Sequence, residues 1–255
     1  PYQTDYRNSV WNCGILPVYR QQLYSVYGEY KSTAREFFAT VNLTHNREWY
    51  NRIYEQRIEN GQIQRVSLPL SNHGSGYTVK STLSKGFYDL GLKTSLMALL
   101  NISKAEQISG GQRLPYQYRL MRLEPKVIWT PNRHWETSYQ TDIRYGGNKI
   151  GERTRLAPLW NVTQQVQLSY IFSPIEASLS VDHYHNDVNE DQSVNAVFAD
   201  FSVLWKSRRL QITATATNLF DKRTYGYTRY ASLESYTSWV RIRPREFLVA
   251  IRYRL

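Results

Sequence analysis

The sequence predicts an all-β fold, an antiparallel transmembrane up-and-down β-barrel wall of about eleven long strands. Three observations carry this expectation. Apolar and polar side chains alternate with period two in stretch after stretch, and helical periodicity is hard to find. The alternating stretches are long, often about 12 or more residues, whereas soluble strands run about 5–6 and a tilted membrane strand needs about 9–11. Short turns and long polar excursions succeed one another in strict alternation, as on the two rims of a membrane barrel.

The elements follow in order. Strands are predicted at 16–31 and 35–50, and in the second Phe37, Ala39, Val41 and Leu43 share one face. Further strands are predicted at 68–88, 90–106, 113–130 and 133–147. In 158–172, Val162, Val166, Leu168, Tyr170 and Phe172 oppose Asn161, Thr163, Gln165, Gln167 and Ser169. In 174–185, Ile175, Ala177, Leu179 and Val181 form the apolar face, and in 193–206 Val197, Ala199, Phe201, Val203 and Trp205 do so. Leu210, Ile212, Ala214 and Ala216 alternate with Gln211, Thr213, Thr215 and Thr217 in 208–222. The last strand, 240–255, sets Phe247, Val249, Ile251, Tyr253 and Leu255 against Glu246, Leu248, Ala250, Arg252 and Arg254. Short turns fall at Lys31–Arg35, Tyr88–Gly91, Thr130–Arg133, Phe172–Ile175 and Lys206–Arg209. Excursions fall at 45–76, 105–115, 145–158, 184–194 and 220–243; the first contains Asn60-Gly61, a two-residue hairpin signal that predicts a β-ribbon.

An odd strand count puts the two ends of the wall on opposite rims, and bacterial single-chain barrels have even counts. The sequence is therefore expected to be one barrel segment, 1–255, of a larger cylinder, and its start at Pro1 without a signal peptide agrees. The net charge of +11 suits an anionic partner, and 21 Tyr with 7 Trp suits a wet interface or two aromatic girdles. Cys13 is the one cysteine, which excludes an intrachain disulfide. No apolar run of about 18 residues occurs, which excludes a transmembrane helix but not a membrane barrel.

Several motifs give a family resemblance. Asn218-Leu219-Phe220-Asp221-Lys222 in the penultimate strand and Pro244-Arg245-Glu246-Phe247 opening the last one are similar to the C-terminal signature of TonB-dependent outer-membrane receptors. Ser84-Lys85-Gly86-Phe87, Asp182-His183-Tyr184 and Ala196-Val197-Phe198-Ala199-Asp200 resemble the Bacteroidota branch of these barrels. The departure is Leu255, where the family usually ends in Phe. The resemblance implies the second half of a 22-stranded barrel in a Gram-negative outer membrane, with the plug and the N-terminal strands in a preceding segment. It also implies ligand-gated uptake of a large nutrient (a siderophore, glycan, peptide or cofactor). TonB would act through that N-terminal part, and a surface lipoprotein is a candidate partner.

The candidate site residues divide into four groups. Pro244, Arg245, Phe247, Val249, Ile251, Tyr253 and Leu255 form the terminal signature, read as an insertion signal and closing seam. Asn218, Leu219, Phe220 and Asp221 form the penultimate-strand motif. Trp49, Tyr50, Tyr225, Tyr227 and Trp239 are candidate ligand-stacking aromatics, with the outer girdle as the alternative role. Arg241, Arg243 and Arg245 are candidate contacts to lipopolysaccharide phosphates. His183 and His185 stand at metal-sharing spacing before Asp187, Glu190 and Asp191, but a hydrated loop explains them as well, and no metal or other cofactor is expected. No GxSxG, HExxH or Gly-rich phosphate loop is present, so no enzyme is expected. Long, regularly connected strands argue against nucleic-acid binding. The alternatives to transport are a barrel scaffold or adhesin and, behind them, a barrel enzyme using His45 or His134 with a nearby Ser.

Overall fold

A computed structural model describes residues 2–3, 8–11, 14, 16–59, 62–151, 154–155, 157–188, 192–231 and 234–253. In chain order its strands begin with β1 (Tyr2–Gln3), β2 (Asn8–Trp11), β3 (Tyr19–Ser32), β4 (Phe37–Tyr50), β5 (Ile53–Glu59) and β6 (Gln62–Leu68). They continue with β7 (Asn72–Phe87), β8 (Leu92–Ser109), β9 (Gln112–Trp129), β10 (Trp135–Ile150), β11 (Thr154–Arg155) and β12 (Leu159–Phe172). The remainder are β13 (Ile175–Asp187), β14 (Ser193–Lys206), β15 (Leu210–Thr217), β16 (Thr224–Ala231), β17 (Glu234–Arg241) and β18 (Glu246–Tyr253).

Eleven of these strands make one antiparallel wall in the order β3-β4-β7-β8-β9-β10-β12-β13-β14-β15-β18. They match the eleven stretches that alternation predicts. Among the described residues β3 and β18 each have a single ladder partner, and the two are not paired with each other. The described wall is thus an open sheet.

Register is constant within every pair, so side-chain parity carries from strand to strand. Val26, Leu43, Val79, Leu100 and Met121 form one cross-strand row, and Val166, Val181, Ala199 and Ala216 belong to the same face. The opposite face carries Asn42, Lys80, Thr82, Asn101, Arg122, Asp142, Gln165, Ser180 and Thr215. One face of the wall is apolar and the other polar, as a period of two requires.

Aromatic rows bound the apolar face at both ends. At the rim of long connections, Tyr24, His45 and Tyr77 stack in sequence, with ring centroids 6.2 and 4.3 Å apart. Tyr145 and Trp160 meet at 4.7 Å on the same rim. At the short-turn rim, Tyr30 lies 5.9 Å from Phe37 and Trp135 lies 4.7 Å from Tyr170. Tyr77 and Phe87, Trp135 and Tyr145, and Trp160 and Tyr170 are each ten positions apart.

The short turns have a local cause. Two 3-10 turns, Thr33–Arg35 and Tyr88–Leu90, end in the left-handed residues Glu36 and Gly91, whose amides bond back to Thr33 and Tyr88. At Gly91 a β-carbon would collide with the Thr130 carbonyl. Gly91 therefore meets two constraints, positive φ and close approach of the next turn.

The structure corrects the connections more than the strands. The 105–115 excursion is not a loop: β8 and β9 stay paired up to Ser109 opposite Gln112, turning at Gly110 and Gly111, both at positive φ. Two glycines able to adopt that conformation make the tight hairpin, and polar side chains on the extended strands had disguised it. The predicted ribbon exists as β5–β6, with Glu59 opposite Gln62; Asn60 and Gly61 lie outside the described residues. The 220–243 excursion is a second ribbon, β16–β17, so 208–222 ends at Thr217 as a strand and the 240–255 strand begins at Glu246.

Most burial lies toward the long-connection rim, and along the wall Thr141 and Ala199 are buried near mid-strand. Ile53 and Ile108 are buried where β5 pairs in parallel with β8, beyond the point where β7 stops pairing with it. Glu55, also buried, accepts Arg57 in two hydrogen bonds of 2.8 and 2.6 Å and the Gly111 amide at 3.2 Å. One carboxylate thus ties the ribbon to the β8–β9 turn.

A pair of glycine substitutions tests these turns. Gly110→Ala meets open space and should cost only the left-handed strain of about 1–2 kcal/mol. Gly91→Ala adds a backbone collision and should cost clearly more, measured as the difference in unfolding free energy.

Candidate ligand site on the polar face

The β16–β17 ribbon packs over the polar face. Asn186 donates to the Tyr225 hydroxyl at 2.8 Å, and Tyr184 meets the Tyr225 ring edge-on at 5.2 Å. Thr228, nearly fully buried, shares a 2.8 Å hydrogen bond with Thr237 across the ribbon. Gly226 lies opposite Trp239, and a β-carbon there would come within 2.7 Å of the indole. The bare backbone lets the Trp239 ring lie across its own ribbon.

Between ribbon and wall is a cavity of about 390 Å³, lined among others by Tyr118, Arg122, Asp142, Arg144, Asn161, Tyr225 and Tyr227. Its floor is a charge network. Arg122 grips Asp142 in a bidentate pair, Nε to Oδ1 at 3.0 Å and Nη2 to Oδ2 at 2.9 Å. Arg144 binds the same carboxylate at 2.5 Å, and Glu124 pairs with Arg122. Two guanidiniums and two carboxylates balance, so the floor is polar without being strongly charged. The Asn161 side-chain oxygen is buried and has no hydrogen-bond donor among the described residues. Tyrosine rings above, fixed donors below and a waiting acceptor suit a ligand with an apolar ring face and hydroxyl edges.

The ribbon is held at its base by the Asn218-Leu219-Phe220-Asp221 motif. Asn218 and Asp221 both adopt positive φ, a conformation that Asn and Asp tolerate better than most residues. The buried Asn218 side chain donates to the carbonyls of Lys222 at 2.8 Å and Arg243 at 2.9 Å, and accepts the Lys222 amide at 3.0 Å. Its own amide donates to Asp200 at 2.7 Å. Asp221 accepts the Arg245 amide at 3.0 Å and pairs with Arg223 at 2.8 Å. The motif is a clasp that joins both feet of the ribbon to β14 and to the start of β18. Leu219 bonds to Ala199 through its amide, and Phe220 is exposed.

The aromatics singled out in the sequence are dispersed. Tyr225 and Tyr227 line this cavity. Tyr50 lines a second cavity of about 340 Å³ under the β5–β6 ribbon, beside Tyr54, which is stacked by Arg65 at 4.3 Å. Trp49, one residue earlier, points to the other face of the wall. Trp239 is 63 % exposed. In the terminal signature Phe247, Val249, Ile251 and Tyr253 lie on the apolar face of β18 and are well exposed, Pro244 and Arg245 precede it, and Leu255 lies outside the described residues. Arg241, Arg243 and Arg245 are exposed around the join of β17 and β18. His183 and His185 lie on the apolar face, and His185 is engaged by Asn195 at 2.9 Å and Asp187 at 3.4 Å; Glu190 and Asp191 fall outside the described residues.

Sequence reasoning missed Arg122, Glu124, Asp142, Arg144, Tyr118 and Asn186. The signal was present in the first four: opposite charges two residues apart within an alternating strand share a face. Searches against family models, curated proteins and solved structures find no match.

Asn218→Ala should leave the Lys222 amide and two carbonyls unpaired and cost about 1–3 kcal/mol in denaturant unfolding. The Arg223 guanidinium, followed by the Arg245 amide, holds the Asp221 carboxyl below the usual carboxylate range. Its contribution is therefore present above the unfolded value of about 3.9 and is lost as pH falls through the lower folded value. Protection of the Arg245 amide from hydrogen exchange should fall across that acid window, and Asp221→Asn should abolish the pH dependence.

Proposed function

We propose that this chain forms wall strands of an outer-membrane β-barrel that takes up a large ligand, in the manner of the TonB-dependent receptors its motifs resemble. One observation carries the reading: an apolar face bounded by aromatic rows ten residues apart. Ten residues span about 33 Å along a strand. At a barrel tilt of about 40° this is a height of about 25 Å, the height of the lipid-facing band of outer-membrane barrels. Between the rows the outward residues of β4, β8, β10 and β12 carry no acidic or basic side chain other than histidine. Lys85 on β7, two residues from Phe87, sits at the short-turn rim and reaches the Arg35 carbonyl.

The polar face then lines a lumen, and the cavity under the β16–β17 ribbon is where a ligand with ring faces and hydroxyls would be held. Strands of a neighbouring segment complete the ladders of β3 and β18, because unpaired edges are not tolerated in hydrocarbon. The Asn218 clasp keeps the ribbon folded over the lumen.

The band predicts an asymmetric response to charge. Leu123→Arg, at mid-height on the outward face, should cost about 2–4 kcal/mol of folding stability in vesicles. Gln140→Arg, at similar height on the polar face, faces Lys126 across the ladder and should still cost less than about 1 kcal/mol. Equal costs, or tryptophan fluorescence that brominated acyl chains fail to quench, would remove the basis of the membrane reading.

A further inference from the structure

Above the upper aromatic row on the apolar face lies a row of a different kind. Arg47, Ser75, Lys104, Gln117 and Lys149 are directly opposite one another across β4, β7, β8, β9 and β10. Basic side chains occupy alternate strands, so successive cations are about 10 Å apart at the usual strand spacing. Arg119 stands in the row beneath, in register with Tyr77 and Ile102. Among the described residues none of these four cations is ion-paired, and Arg47, Lys104 and Arg119 are exposed.

The row also lines a shallow cleft of about 420 Å³, which Arg47, Lys104 and Lys149 enter together with Trp49 and His73. Two carboxylates share the cleft, and both are already engaged. Glu106 pairs with Arg113 at 3.0 Å, and Glu48 accepts Asn46 at 2.9 Å and Tyr50 at 2.8 Å. Arg47 donates to the His45 imidazole at 3.2 Å, a neutral partner that leaves its charge, like those of Lys104 and Lys149, without a carboxylate among the described residues.

From this placement we infer that the cleft of Arg47, Lys104 and Lys149 is a binding site for the phosphate of an anionic lipid headgroup, seated against the outer wall just above the aromatic row. The proposal rests on the membrane reading above, since that reading puts the apolar face in contact with acyl chains. A lipid whose chains lie along Val79, Leu100 and Met121 carries its phosphate past Tyr77 to the level of Lys104. Lysine and arginine supply multidentate, charge-assisted contacts to phosphate there. Trp49 offers an apolar flank for the glycerol or sugar that joins phosphate to chains. A free anion would lack the acyl contacts and would bind weakly.

The full chain in phosphatidylcholine bilayers, with spin-labelled phosphatidic acid as a phosphomonoester probe, tests this. The fraction of immobilised probe should exceed that of spin-labelled phosphatidylcholine. In R47Q/K104Q/K149Q this preference should fall by roughly fivefold or more, the attraction one or more basic residues exert at an anionic surface. R133Q/R208Q/R209Q removes the same charge at the opposite rim and should keep the preference. Equal loss in both variants would assign the effect to net charge and overturn the site. Displacement of the probe by inorganic phosphate at matching concentration would also overturn it, in favour of a free-anion site. Quenching of tryptophan by brominated chains in the same bilayers separates the two levels: quenching without lipid preference sinks the site alone, and absence of quenching sinks both.

Discussion

The structure depends on one constraint, the unbroken antiparallel ladder that runs from β3 to β18. Each wall strand pairs with the wall strands beside it, and only at their upper ends do β8 and β10 add ladders to β5 and β11. With no change of register within any pair, a side chain's parity decides its face all the way across. A slip of one residue at any ladder would send that strand's apolar set to the polar side. The aromatic rows, the basic row and the charge network under the ribbon are all products of this one rule applied along eleven strands.

The same rule leaves the wall without a core of its own. Of the few buried apolar side chains, Ile53, Ile108, Leu159 and Ala196 sit toward the long-connection rim and Ala199 lies along β14, while Val26, Leu43, Leu100, Phe201 and Phe247 remain exposed. A soluble sheet would cover such a face with a second layer. Under the proposed reading the second layer is lipid, and the ribbons serve a different purpose from a core. They close over the polar side, one tied down by Glu55 and the other by Asn218.

The sequence made the wall legible because period two needs no knowledge of tertiary contacts. Phe37 to Leu43, Val162 to Phe172 and Leu210 to Ala216 announce their faces directly. What stayed hidden lacks that contrast. In β16, Tyr225, Tyr227 and Arg229 alternate with Gly226, Thr228 and Tyr230, which gives two mixed faces and reads as loop. Between 105 and 115 Glu106, Gln107 and Arg113 leave no clean apolar alternation, so the stretch reads as an excursion although β8 and β9 stay paired through it. The candidate cavity was only partly foreseen, since Tyr225 and Tyr227 stood out by composition while Asn186 and Tyr118 became neighbours only through the ladder. Asn218 and Asp221 stand out as a motif, but their hydrogen bonds to Lys222, Arg243 and Arg245 depend on the positive φ that only the structure reveals.

The meander has a consequence for how the chain comes together. Every wall ladder joins strands that are consecutive members of the wall, so most contacts are formed across a single turn or ribbon. Loop-closure entropy is small for each such step, and topologies of this kind can be assembled one hairpin after another. Each newly added strand presents the next with a complete row of donors and acceptors, making the sheet its own template. Growth of that sort has no built-in stopping point, so termination must come from strand supply and not from the geometry of any one hairpin.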